Sequence, residues 1–235
     1  MGIYANPYTD FPARVEELWK RLEQANNATE RDLSVTAMLM VAMAGFASPW
    51  EFLKHDNTGA FENREAHPAF DGISQEQYKF ALSRVKAEIN LPFAQSRLFG
   101  TSAIDPWRFG HVGALSEVRR HAEDLWGPQP RKNDNNIIRL PGKARDVLKV
   151  LRNALAHGNV CAFMGKSNSI ELLVFFSEDR EILGSKPIVV GWDVATTKVE
   201  AFHHFLTAWF ALIREPGAMQ AVSAVLEDDD ERLAA

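Results

Sequence analysis

The nine residues LRNALAHGN, at positions 151–159, form the most informative stretch of this sequence. They close a helical pattern that begins at Pro141, because apolar residues recur three and four positions apart along one face: Ala144, Val147, Leu148, Leu151, Ala154 and Leu155. Gly158 suits the left-handed position that ends many helices, which puts His157 in the last turn. The sequence therefore predicts a helix that carries an arginine, an asparagine and a histidine near its C-terminus.

The rest of the chain is also mainly helical in pattern. Helical apolar spacing predicts further helices over 14–24, 33–53 with a break near Pro49, 74–91, 112–125 and 197–215. Two β-like runs, Val160–Phe163 and Ile170–Phe176, flank a Gly-Lys-Ser-Asn turn, and 187–192 is a candidate third strand. We expect a mainly α helical bundle with a small antiparallel β-hairpin inserted before the last helix. We predict one domain over residues 1–226 and a disordered acidic tail over 227–235.

Composition excludes several classes of protein. The single cysteine, Cys161, excludes internal disulfides and cysteine-rich zinc sites, which favours a reducing, cytoplasmic environment. The N-terminus lacks the pattern of an export signal. The most apolar run, Leu33–Phe46, is shorter than the roughly 20 residues that cross a bilayer, so we predict no membrane association.

Charge is distributed unevenly along the chain. The net charge is −5, which does not suit a protein that coats nucleic acid. Between Arg131 and Arg152, however, seven basic residues stand against two acidic ones, giving +5 there and −10 elsewhere. A basic segment that leads into the 151–159 stretch is what a phosphate-backbone substrate requires, although a solvated helix face also explains it. The candidate RNA-binding residues are Lys143, Arg145 and Lys149.

The spacing of Arg152, Asn153 and His157 resembles the R-N-x-x-x-H signature of ribonucleases of the HEPN superfamily. By chance, this triplet is expected only about 0.02 times in a chain of this composition. The resemblance is specific from about Leu148 to Asn159 and covers most of the chain in outline. It implies a HEPN-like helical bundle, cleavage of RNA without a metal or cofactor, and a homodimer in which two motif helices form one cleft. Bacterial defence or a toxin–antitoxin system, with an antitoxin or regulatory protein as partner, is implied by the resemblance alone.

The three residue types suit metal-free cleavage of RNA. Histidine transfers protons near neutral pH, and the arginine fork can hold two phosphate oxygens. We therefore predict Arg152, His157 and Asn153 as catalytic residues, with Asn153 supporting the other two. Positions five apart lie about 140° around a helix, so one helix does not aim Arg152 and His157 at one phosphate.

Other functions have weaker support. The same resemblance fits a non-catalytic module that binds RNA, a nucleotide or a protein partner. The chain lacks H-E-x-x-H, C-x-x-C, G-x-S-x-G and G-x-x-x-x-G-K-[ST] patterns, so zinc hydrolase, serine hydrolase and P-loop functions are not indicated. Glu117 and His121 lie one helical turn apart, and a surface pair explains them better than a metal site. We predict no metal ligands.

Overall fold

A computed structural model describes residues 7–26, 34–47, 72–100, 107–126, 141–165, 169–183, 186–222 and 225. Its helices are α1 (Pro7–Asn26), α2 (Ser34–Ala42), α3 (Gln75–Ile89), α4 (Val118–Trp126), α5 (Ala144–His157) and α6 (Val199–Ile213). Its strands are β1 (Trp107–Val112), β2 (Val160–Met164), β3 (Ile170–Leu183) and β4 (Lys186–Lys198). Mainly α is the correct class. None of the described helices is long and apolar enough to span a membrane.

The chain divides into two compact units, and the first comprises Met1–Asn90 and Leu206–Ala235. Within it, α2 passes directly into a π-helical segment, Met43–Ala47. The indole N–H of Trp209 donates to the carbonyl of Gly45 at 3.1 Å, and the Trp209 ring meets Phe46 edge-on. A Cβ at Gly45 would lie 2.6 Å from the Phe210 ring, so the glycine permits this close approach. The helix predicted over 33–53 is confirmed to residue 47, and the predicted break near Pro49 lies outside the described residues.

The second unit, Leu91–Phe205, contains the sheet and the 151–159 stretch. The four strands that the structure describes there are antiparallel, in the order β1-β4-β3-β2. The sheet is therefore larger than the predicted hairpin, because β4 continues to Lys198 and its far edge pairs with β1. The predicted helix over 112–125 was wrong at its start. Residue 112 ends a strand, and α4 begins only at Val118.

Helices contact both faces of this sheet. Val112, Val174 and Val194 belong to a buried cluster with Val118 and Ala122 of α4. On the opposite face, Phe175 of β3 packs against Phe202 of α6 at 4.9 Å between ring centroids. Helix α5 packs against β3 and β4. Because side chains alternate across a strand, each face of the sheet has its own core, and the apolar run Leu172–Phe176 of β3 supplies side chains to both faces.

His121 of α4 is a buried histidine, only 2% exposed, so the surface pair predicted for it was wrong. Neither ring nitrogen has a hydrogen-bond partner among the described residues. The ring lies directly over Gly110 of β1, where a Cβ would come within 1.8 Å of Nε2. Burial lowers the pKa of His121, and His111 lowers it further, against the opposing effects of Asp124 and Glu117.

This burial predicts a loss of stability in acid. Since the folded-state pKa lies below the unfolded value of about 6.5, the unfolded chain takes up the proton first as the pH falls. We expect the free energy of unfolding to decline below about pH 6.5, by up to about 1.4 kcal/mol per pH unit for this one group. Urea unfolding of the parent and of His121→Leu between pH 7.5 and 5 measures the effect. Parallel pH curves for the two proteins would contradict it.

Candidate functional site

Helix α5 is fixed at its start by the chain around Lys143, its N-cap residue. The Lys143 N–H donates to the Asp146 carboxylate at 2.8 Å, so this backbone donor at the N-terminus of the helix has a hydrogen-bond partner. The Ala144 N–H donates to the carbonyl of Leu91 at 3.0 Å, and Phe93 N–H to that of Gly142 at 3.4 Å. The start of α5 is therefore hydrogen-bonded to residues 91–93.

The end of α5 is equally well defined. Gly158 adopts φ 70° and ψ 18°, the left-handed conformation predicted for it. The Asn159 N–H donates to the Ala154 carbonyl at 2.8 Å and the Gly158 N–H to Leu155 at 3.4 Å, which is a Schellman motif. The Asn159 carbonyl then accepts the Phe176 N–H at 3.2 Å. His157 therefore occupies the last residue of a helix whose end is attached to β3.

Four predicted site residues form one row along α5. Arg145, Lys149, Asn153 and His157 are spaced every four residues, and residues four apart lie only about 40° from one another around a helix. The first three are half-buried and His157 is exposed. Lys143, just before the helix, is also exposed. Because each step adds about 40°, Lys149 and Arg145 lie roughly 80° and 120° around the helix from His157, and about 12 and 18 Å along it. We call these four residues the α5 row.

Arg152 does not belong to the α5 row. It is 8% exposed and lies in the buried part of α5 with Leu148, Leu151 and Leu155. Within one chain, a buried arginine and an exposed histidine on different sides of the helix do not meet at one solvent-accessible phosphate. The sequence pattern identifies both residues. It does not predict that Arg152 is buried, because arginine side chains are usually exposed.

The aromatic side chains that could stack on bases differ in burial. Trp107, Phe109 and Trp209 are buried in the core. Trp126 is half-buried; its indole N–H donates to Thr196 at 2.7 Å, and the Arg108 guanidinium lies over its ring. The part of the basic segment over 131–140 lies outside the described residues. Sequence reasoning missed a cluster of His111, Asp179 and Asp193, because its members come from three strands and share no local motif.

The chain matches a known protein family over most of its length. A family model described as HEPN pEK499 p136 matches residues 1–217. The chain belongs to this HEPN family. The resemblance seen in the 151–159 stretch is thereby confirmed at the level of the superfamily, and the match also covers both structural units except the end of the chain. No curated protein and no solved structure matches the chain.

Proposed function

We propose that this HEPN protein is a metal-independent endoribonuclease that acts as a homodimer, with one composite active site formed by two copies of α5. The observation that carries the proposal is the α5 row, in which the exposed His157 ends the helix one turn after Asn153 and about two turns after Lys149. The family assignment supports an RNA-related role. We further propose that it works in the cytoplasm in defence or as a toxin held by an antitoxin, roles that rest on the family alone.

The proposed reaction is an in-line transfer at phosphorus. His157 of one protomer takes the proton from a ribose 2′-hydroxyl, and the 2′-oxygen forms a bond to phosphorus. The bond from phosphorus to the 5′-oxygen breaks, and His157 of the other protomer gives that oxygen its proton. The products are a 2′,3′-cyclic phosphate and a 5′-hydroxyl. Two histidines are required because one imidazole cannot be both base and acid in the same step.

Arginine and asparagine have supporting roles in this scheme. The scheme requires the Arg152 guanidinium, which is 8% exposed within one protomer, to reach the phosphate in the dimer; there it stabilises the charge that develops on the non-bridging oxygens, a contribution of about 3–4 kcal/mol for a preorganised donor. Asn153 lies one turn before His157 in the α5 row and orients its imidazole. Lys143, Arg145 and Lys149 bind flanking phosphates, which makes the binding of RNA weaker at high salt.

A direct assay tests the proposal. Purified full-length chain is incubated with total RNA in excess EDTA, and the new ends are analysed by mass spectrometry. We expect cleavage that EDTA does not stop, products with 2′,3′-cyclic phosphates, and no cleavage of a DNA strand of the same sequence. Absence of cleavage, or products with 3′-hydroxyl ends, would exclude the proposed chemistry.

One observation favours a second candidate, a non-catalytic HEPN module that binds RNA, a nucleotide or a protein. Arg152 is more than nine-tenths enclosed within its own protomer, a position that suits a structural role in α5. This candidate predicts RNA or partner binding through the α5 row without any cleavage. It also predicts that Lys149→Glu weakens RNA binding, whereas His157→Ala leaves it nearly unchanged.

A further inference from the structure

A second cluster of chemically active side chains lies on the sheet, away from the α5 row. His111 of β1, Asp193 of β4 and Asp179 of β3 each offer one ligand atom, and all three atoms lie within 4.8 Å of one another. The His111 Nδ1 is 3.2 Å from an Asp193 oxygen and 3.6 Å from an Asp179 oxygen. All three side chains are half-buried. We propose that this cluster binds one divalent transition-metal ion, such as Zn²⁺ or Mn²⁺.

The register of the sheet accounts for the convergence. His111 and Asp193 are direct cross-strand partners, so their side chains lie on the same face. Ser177 is the partner of Asp193 on β3, and Asp179 is two residues farther along that strand. The register of β3 and β4 shifts between Asp179 and Arg180, where β4 has one extra residue. Such a bulge redirects the neighbouring side chains, and here it adjoins Asp179.

Gly191 fixes the direction of the imidazole. A Cβ at Gly191 would lie 2.3 Å from the His111 Nε2 and 2.5 Å from its Cε1, so the ring occupies the space that any other residue would fill. With Nε2 held against the β4 backbone, Nδ1 is the nitrogen that faces the two carboxylates. The absence of a side chain at position 191 thus creates the place for this ring.

The two distances from Nδ1 suit ligands of one metal ion, and at the shorter distance His111 and Asp193 also form a hydrogen bond. Two ligands about 2.1 Å from one ion are about 3.0 Å apart at right angles and about 3.4 Å apart at the tetrahedral angle. The separations from Nδ1, 3.2 and 3.6 Å, are close to that range. A single Nδ1 proton can serve one carboxylate, and 3.6 Å is too long for a hydrogen bond to the other. An imidazole with two carboxylates is a ligand set for zinc, manganese or iron, and it leaves coordination positions open.

This site is separate from the proposed cleavage, in which no metal takes part. Both lie in the second unit. The Asn159 carbonyl at the end of α5 accepts a hydrogen bond from the Phe176 N–H of β3. Asp179 lies three residues after Phe176, or about 10 Å along the strand. Binding of the metal is therefore testable whether or not the chain cuts RNA.

The test uses metal-stripped full-length protein and ZnCl₂ or MnCl₂ as the probe, read by calorimetry and by thermal unfolding. We expect one ion per chain and a rise in Tm of about 4 °C or more at saturating metal. Asp193→Asn and Asp179→Asn should each weaken binding at least about tenfold. Glu181→Gln removes an exposed carboxylate from β3, the strand of Asp179, and this variant should bind the metal like the parent.

Circular dichroism without metal shows whether each variant folds, and two independent aspartate variants keep the test decisive if one does not. A parent that binds neither ion, or folded aspartate variants that bind with parental affinity, would overturn the proposal. The proposal also fails if Cys161→Ser or His203→Ala, and not the cluster variants, abolishes binding, because the ion would then occupy another site.

Discussion

His157→Ala should lower the rate of RNA cleavage by about 10²–10⁴-fold while leaving the fold intact. The reason is that His157 is the exposed proton-transfer group of the α5 row, and its side chain contributes little to the core. Its loss removes both general acid and general base from a two-fold site. Initial rates on a fluorescent RNA in EDTA, with Tm measured alongside, give the result.

His203→Ala is the matched control for this substitution. His203 is also an exposed histidine on a helix, outside the α5 row. It should keep parental activity. Equal activity in the parent, His157→Ala and His203→Ala would identify a contaminating nuclease and favour the non-catalytic module.

Arg152→Ala should lower both the stability of the fold and the rate of cleavage. Truncating a side chain that is 8% exposed leaves a cavity, at a cost of about 2–4 kcal/mol. Loss of the guanidinium should also lower cleavage by about 10²–10³-fold. Urea unfolding and cleavage rates measured on the same preparation separate the two effects.

Arg152→Lys distinguishes a catalytic from a purely structural arginine. Lysine keeps the charge and much of the volume, but it lacks the planar fork that holds two phosphate oxygens. We expect a smaller loss of stability than for Arg152→Ala, with kcat reduced by about tenfold or more. Parental kcat in a folded Arg152→Lys protein would remove Arg152 from the chemistry. Arg120→Ala, at an exposed arginine of α4, is the control for nonspecific loss of positive charge.

Local patterns predicted what is local in this protein. The end of α5 at Gly158 followed from a glycine after an apolar helical stripe, and the structure has the expected left-handed residue there. The pairing of β2 with β3 joins neighbouring runs. Each of these features depends on residues that are close in sequence.

The features that were missed depend on residues that are far apart in the sequence. β1 was not predicted because its partner, β4, lies about 80 residues later, and Gly110 within it weakens the strand pattern. His121 looked like a surface residue, since only the tertiary fold puts Gly110 beneath its ring. The cluster of His111, Asp179 and Asp193 requires three strands in register. Burial of Arg152 likewise depends on what packs against α5, which its own sequence does not encode.

Mixed dimers test most directly whether two copies of α5 share one active site. One parental protomer and one His157→Ala protomer carry different affinity tags, are co-expressed, and are isolated by two successive purifications. A shared site with one histidine as base and the other as acid predicts that the mixed dimer has far less than half the activity of the parental dimer. Activity at half the parental value would mean that each protomer cuts RNA on its own, and it would contradict the composite site.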